Sequence, residues 1–79
     1  MRVKVKLFTT LVNYVHGAQP GIPFDLDLAE KAIILDLIKS LNIPEPEAAI
    51  ILVNGLNKPI KHVLNNNDEV SIFPVIGGG

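Results

Sequence analysis

The chain has 79 residues, and its seven basic and eight acidic side chains give a formal net charge of −1 at pH 7. A domain of this size buries about 60% of the surface that its unfolded chain exposes, which leaves room for one core of modest size. The charges are interspersed and form no basic stripe, so we expect no nucleic-acid partner. Cysteine is absent, which excludes disulfides, thiolate metal sites and a cysteine nucleophile. Apolar runs are far shorter than the roughly 20 residues of a membrane span, and no leader follows Met1, so we expect a cytoplasmic protein.

Alternating apolar and polar residues predict two strands near the start of the chain. The apolar residues at every second position are Val3, Val5 and Leu7 in RVKVKL, and Phe24, Leu26 and Leu28 in FDLDL. The segment between them contains turn formers at Gly17, Pro20 and Gly21. We therefore expect an antiparallel hairpin with a long loop.

An amphipathic helix is predicted next, because apolar residues recur at helical spacing. They are Ile34, Leu37, Ile38 and Leu41. The helix should end at Asn42 and Pro44. Its start is poorly marked, since Ile33 carries no side-chain oxygen that could cap the first turn.

The rest of the chain predicts a connection and three further strands. PEPE at 44–47 interrupts the helix, and AIILVNG is an apolar strand that runs into a tight turn at Asn54 and Gly55. Pro59 limits the return strand to a short edge strand. NNND at 65–68 is a turn, and a last strand covers residues 69–73.

This order of strands and helix predicts an α+β fold, the β-grasp or ubiquitin-like fold, whose mixed sheet of four to five strands has one main helix on one face. We expect a domain at residues 1–73 and a flexible tail at 74–79.

Two aromatic residues are expected to face away from the helix. If Val5 and Leu7 point inward, Phe8 points outward, and the same alternation turns Phe73 outward. The first and last strands of a β-grasp are parallel neighbours, so both rings should lie side by side where the tail begins. An exposed apolar patch is commonly an interface, and we predict that partners bind Phe8, Phe73, Pro74, Val75 and Ile76. Ordinary core packing of both rings is the alternative.

Four segments carry a resemblance to a known family. They are KLFTTLVNYVHG, ILDLIKSL, VNG at 53–55 and LNNNDEVSIFPVIGGG. Together they resemble the ubiquitin-like sulfur-carrier family, which includes the small subunit of molybdopterin synthase and the thiamine-pathway sulfur carrier. The chain departs from the family pattern at Val12, Ile33 and Asn67, where arginine, threonine and glycine are usual. A third glycine, Gly79, also extends the usual pair, and trimming to Gly78 is an alternative.

The resemblance implies a chemistry for the glycines. An ubiquitin-activating-type adenylyltransferase would use ATP to adenylate the carboxylate of Gly79, and a sulfur donor would convert it to a thiocarboxylate. Gly77 and Gly78 would thread the channels of partner enzymes, where a side chain would clash. The sulfur would then reach an acceptor enzyme, for which the large subunit of molybdopterin synthase is the first expectation.

Other functions remain open at this stage. The chain could carry sulfur for thiamine or another metabolite, it could be a ubiquitin-like modifier conjugated to lysines, or it could be a non-reactive interaction module. In none of these does it supply a catalytic base, so we expect a carrier with no bound cofactor and not an enzyme.

Several polar residues are expected to be structural. His16 and His62 have no neighbouring ligands in the sequence, so we expect no metal site. Asp68 and Glu69 are adjacent and point to opposite faces of a strand, which favours a turn or a partner salt bridge over an acid–base pair. Tyr14 is interpreted as a packing residue.

Overall fold

The strands and the helix lie close to where the sequence predicts them. A computed structural model describes residues 1–75, and the predictions for Ile76, Gly77, Gly78 and Gly79 lie outside the described residues. The elements in chain order are β1 (Arg2–Leu7), β2 (Phe24–Asp27), α1 (Ile34–Ser40), β3 (Ile50–Val53), β4 (Leu56–Asn57) and β5 (Glu69–Phe73).

The sheet has the mixed topology that the crossover requires. Its strand order is β2-β1-β5-β3-β4. β1 pairs antiparallel with β2 and parallel with β5, and β3 pairs antiparallel with β5 and β4. The first and last strands are therefore parallel neighbours at the centre of the sheet, and the predicted α+β, β-grasp fold is confirmed.

The core lies between α1 and one face of the sheet. Every inward residue of the alternating strands β1 and β5 is buried, whereas their outward neighbours are exposed or half-buried. The buried set comprises Val3, Val5, Leu7, Leu11, Ile34, Leu37, Ile38, Leu41, Ile43, Ile51, Val53, Leu64, Val70 and Ile72. The predicted helical stripe is thus part of the core, and among residues 1–75 no α-helix covers the opposite face of the sheet.

The start of α1 is capped by a distant segment. The N–H groups of Ile34 and Leu35 donate to the carbonyl oxygens of His62 and Ile60, at 3.0 and 2.9 Å. The carboxylate of Asp36 accepts the N–H of Ile33 at 2.8 Å. The first two contacts satisfy first-turn amides that the side chain of Ile33 cannot, and the third satisfies the N–H of Ile33 itself.

Two connections contain short 3₁₀ helices that the sequence did not predict. One spans Thr9–Tyr14 and buries Leu11 in the core, and the other spans Glu45–Glu47. Asn67 adopts the left-handed conformation, with φ of 72°, which asparagine tolerates better than most residues. None of the helices formed by residues 1–75 has the length and hydrophobicity that a membrane span requires.

A candidate docking site where the C-terminal segment leaves the sheet

Phe8 and Phe73 stack on the face of the sheet opposite α1. Their ring centroids are 4.3 Å apart and their planes are inclined by 8°. Phe8 directly follows β1, and its N–H donates to the carbonyl oxygen of Ile72 at 3.2 Å, which continues the pairing of β1 with β5. Both rings are half-buried, while the preceding residues Leu7 and Ile72 are fully buried. The predicted proximity and outward orientation of the two rings are confirmed.

Ile50 extends this pair into an apolar row across three strands. It lies opposite Phe73 in the register of β3 with β5, and the residue is 44% exposed. Residues directly opposite each other in a sheet share a face, so Phe8, Phe73 and Ile50 form one row, which we call the apolar row. The sequence did not identify Ile50, because the run AIILV has no alternation that would assign it a face. The strand register was the missing information.

Gly21 places the long β1–β2 loop against the apolar row. Its N–H donates to the carbonyl oxygen of Leu7 at 2.8 Å, and its φ of +72° favours glycine. A β-carbon at this position would lie 3.4 Å from Cε1 of Phe8. That distance is at the short limit of ordinary van der Waals contact, so the left-handed backbone, more than the space beside Phe8, is what favours glycine here.

The C-terminal segment begins at the apolar row. The carbonyl oxygen of Phe73 accepts the N–H of Ala49 at 2.9 Å, and Pro74 then ends the strand. Pro74 is half-buried and Val75 is 61% exposed. Pro74 and Val75 thus directly follow Phe73 of the apolar row in the chain, and the binding of partners by these residues stays a prediction.

Ion pairs occupy the same sheet face beyond the apolar row. Lys6 contacts Glu69 at 2.8 Å, and Lys4 contacts Asp25 at 3.0 Å. At the far end, the hydrogen bond and charge of Arg2 lower the pKa of Asp27. The face thus changes from apolar beside the C-terminal segment to charged but paired at the opposite end.

A hydrogen bond connects the two 3₁₀ helices. The hydroxyl of Tyr14 donates to the carboxylate of Glu47. This bond, with smaller contributions from burial and from the charge of Glu47, raises the pKa of Tyr14 above its ordinary value. The ring also packs against the core, as predicted for a packing residue, but the hydroxyl contact was not predicted.

The acidic pair at the start of β5 has a structural role. Asp68 is buried, and its carboxylate accepts hydrogen bonds from Nδ2 of Asn54 at 2.9 Å and from the N–H of Asn65 at 2.8 Å. Asp68 therefore stabilises the turn, as the sequence indicated, and Glu69 pairs with Lys6. Among the described residues, no group of three or more side chains that could hold a metal ion is present.

A family model described as Mut7-C ubiquitin matches residues 1–77. The chain belongs to this ubiquitin family. No curated protein matches its sequence.

Three solved structures are similar over nearly the whole chain. SAMP1 from Haloferax volcanii is 22% identical with a TM-score of 0.72, and all of both chains is covered. A Pyrococcus furiosus protein described as molybdopterin converting factor, subunit 1, is 24% identical with a TM-score of 0.73, covering 94% of this chain and 97% of that one. The Haloferax volcanii HVO 2177 protein is 25% identical with a TM-score of 0.71, covering 100% of this chain and 87% of that one. The structures confirm the ubiquitin-like fold, and the family match confirms the resemblance to a ubiquitin-like family.

Proposed function

We propose that the protein is a sulfur carrier whose Gly79 provides the terminal carboxylate that is activated. An oxygen of this carboxylate attacks the α-phosphorus of ATP, and pyrophosphate leaves. A sulfide-level donor then attacks the acyl carbon, AMP leaves, and a thiocarboxylate remains. The thiocarboxylate sulfur then bonds to the acceptor, and water attacks the acyl carbon and breaks its bond to sulfur. The sulfur stays on the acceptor, and the carboxylate is restored.

The apolar row is the observation that carries this proposal. It lies on the face of the sheet opposite α1, and residues 74–79 follow it directly in the chain. These residues can reach about 20 Å when extended at about 3.3 Å per residue. An enzyme docked on the apolar row could therefore receive the glycines in its interior while the domain stays outside.

In this proposal the chain is a carrier and accessory subunit, and the catalytic groups belong to its partners. A ubiquitin-activating-type adenylyltransferase uses the ATP, so this chain binds no cofactor of its own. The acceptor is the large subunit of molybdopterin synthase, in the biosynthesis of molybdenum or tungsten cofactor. The likeness to a molybdopterin converting factor subunit supports this acceptor over thiamine or another sulfur metabolite.

The absence of cysteine gives a direct test of the thiocarboxylate. The chain is incubated with ATP, the adenylyltransferase and sulfide, and is then treated with a thiol-selective alkylating reagent. Because the chain has no cysteine, the thiocarboxylate is the sulfur nucleophile that we expect to be labelled. Labelling should require ATP and should be lost in a variant that lacks Gly78 and Gly79. A variant that lacks only Gly79 tests whether trimming precedes activation.

A second candidate function is conjugation to other proteins. The likeness to SAMP1, a small archaeal modifier protein, favours it. Activation begins in the same way, but a lysine amine displaces AMP and an isopeptide bond forms. High-mass conjugates of an N-terminally tagged chain, absent without Gly78 and Gly79, would support conjugation.

A third candidate function is non-reactive docking to a partner protein. The matched family is described as Mut7-C ubiquitin, so a Mut7-C polypeptide is the partner that we would test. A non-reactive docking domain would bind this polypeptide equally well without the glycines. Co-purification that persists in the variant lacking Gly78 and Gly79, with no labelling of the wild-type chain, would favour docking over both reactive functions.

A further inference from the structure

One hydrogen bond joins the two connections that flank the end of β5. Tyr14 is the last residue of the first 3₁₀ helix, which begins directly after Phe8. Glu47 is the last residue of the second 3₁₀ helix, which leads into β3. The hydroxyl of Tyr14 donates to the carboxylate of Glu47, and 33 positions of sequence separate the two residues.

Both connections are attached to the last residues of β5. This strand lies between β1 and β3. On one side, the carbonyl oxygen of Ile72 accepts the N–H of Phe8, and on the other, the carbonyl oxygen of Phe73 accepts the N–H of Ala49. The Tyr14–Glu47 contact therefore completes a closed set of contacts around the point where the C-terminal segment begins.

We propose that the Tyr14–Glu47 contact positions the apolar row and the start of the C-terminal segment for the enzyme that activates the glycines. Its effect on activation rests on the sulfur-carrier function proposed above, or on the conjugation that begins with the same step. Tyr14 touches no reacting atom in this account. The contact restricts the two connections, and a pre-ordered surface loses less conformational entropy on binding.

Three substitutions separate the hydrogen bond from side-chain packing. Tyr14→Phe removes the hydroxyl and keeps the ring that packs against the core. Glu47→Ala removes the acceptor, whereas Glu47→Gln keeps an oxygen that can accept the hydroxyl proton. Glu47→Gln is therefore the conservative variant that should retain function.

Amide hydrogen exchange tests the positioning role without any partner. The N–H groups of Phe8 and Ala49 should exchange several-fold faster in Tyr14→Phe and Glu47→Ala, because the connections that hold them are released. The N–H of Lys4, which lies in β1 away from both connections, donates to the backbone carbonyl oxygen of Asp68 at 2.9 Å and should be unaffected. Equal acceleration at all three amides would show a merely global loss of stability and would overturn the proposal, as would no acceleration at any of them.

Activation kinetics then test the consequence. The KM of the adenylyltransferase for the carrier should rise roughly fivefold in Tyr14→Phe, because one hydrogen bond to a charged group is lost from the pre-ordered state. The kcat should stay constant, Glu47→Gln should behave like the wild type, and the double variant Tyr14→Phe/Glu47→Ala should lose no more than either single variant. An unchanged KM despite faster exchange would overturn the proposed role in activation. If the wild-type chain is never activated, the reactive functions fail, and the exchange pattern alone decides whether the contact positions this region.

Discussion

Replacing Phe73 with alanine separates docking from folding. The ring is half-buried and stacks on Phe8 at 4.3 Å, a type of pair that contributes about 0.5–1.5 kcal/mol beyond area burial. We expect Phe73→Ala to lower the free energy of unfolding by about 1–2 kcal/mol, compared with about 3–5 kcal/mol for a fully buried phenylalanine. If the ring is a central interface residue, its loss should cost about 2 kcal/mol of binding, which is roughly a 30-fold weaker complex.

Urea unfolding and titration with the adenylyltransferase measure the two quantities, and two neighbouring residues supply controls. Ile72 is fully buried, so Ile72→Ala should lower the free energy of unfolding by about 2–5 kcal/mol. The molecules that remain folded should still bind the adenylyltransferase with normal affinity. Ser71 shares the outward face, and Ser71→Ala should change neither quantity appreciably. The assignment of Phe73 to a docking surface would be refuted if Phe73→Ala destabilised the domain as much as Ile72→Ala, or if it bound the enzyme normally.

Three further outcomes follow from the structure. Ile50→Ala should weaken binding of the adenylyltransferase by roughly fivefold with little loss of stability. Leu56→Ala removes an exposed side chain outside the apolar row and should leave that binding unchanged. Equal weakening of binding by the two substitutions would contradict the role of the apolar row in docking. Asn54→Ala should lower the free energy of unfolding in urea by about 1–3 kcal/mol, because a buried carboxylate and a backbone N–H lose partners; a neutral effect would mean that water replaces both contacts. Tyr14 is the single tyrosine, so ultraviolet titration of its phenolate reads its pKa directly, and the value should exceed 10.0 and fall toward it in Glu47→Ala. Because the pKa of Tyr14 is higher in the folded chain than in the unfolded chain, the contact contributes its full stability below the unfolded pKa, and this contribution is lost as the pH rises through the folded pKa. An unchanged phenolate titration curve in Glu47→Ala would rule the contact out.

The sequence predicted the parts of the fold that depend on local patterns. Alternation in RVKVKL and in residues 69–73 identified β1 and β5 and the side of the sheet that each residue faces. The spacing of Ile34, Leu37, Ile38 and Leu41 identified α1. Because β1 and β5 are parallel neighbours in this fold, the stacking partners Phe8 and Phe73 could also be predicted.

Features that depend on pairing between distant segments were missed. Ile50 joins the apolar row through its register with Phe73, and an unbroken apolar run contains no information on that register. The cap of α1 comes from the carbonyl oxygens of residues 60 and 62, and no residue near Ile33 signals it. The Tyr14–Glu47 contact likewise joins two 3₁₀ helices that local propensity did not predict.

The mass of the C-terminal tryptic peptide, after incubation with ATP, the adenylyltransferase and a sulfur donor, tests the central claim most directly. Cleavage after Lys61 releases residues 62–79, which contain no methionine, so oxidation of Met1 cannot imitate the gain of sulfur. The account predicts an ATP-dependent increase equal to the replacement of one oxygen by sulfur, located at the terminal glycine. An unmodified peptide, with an adenylyltransferase that activates its known substrate in parallel, would contradict the sulfur-carrier function.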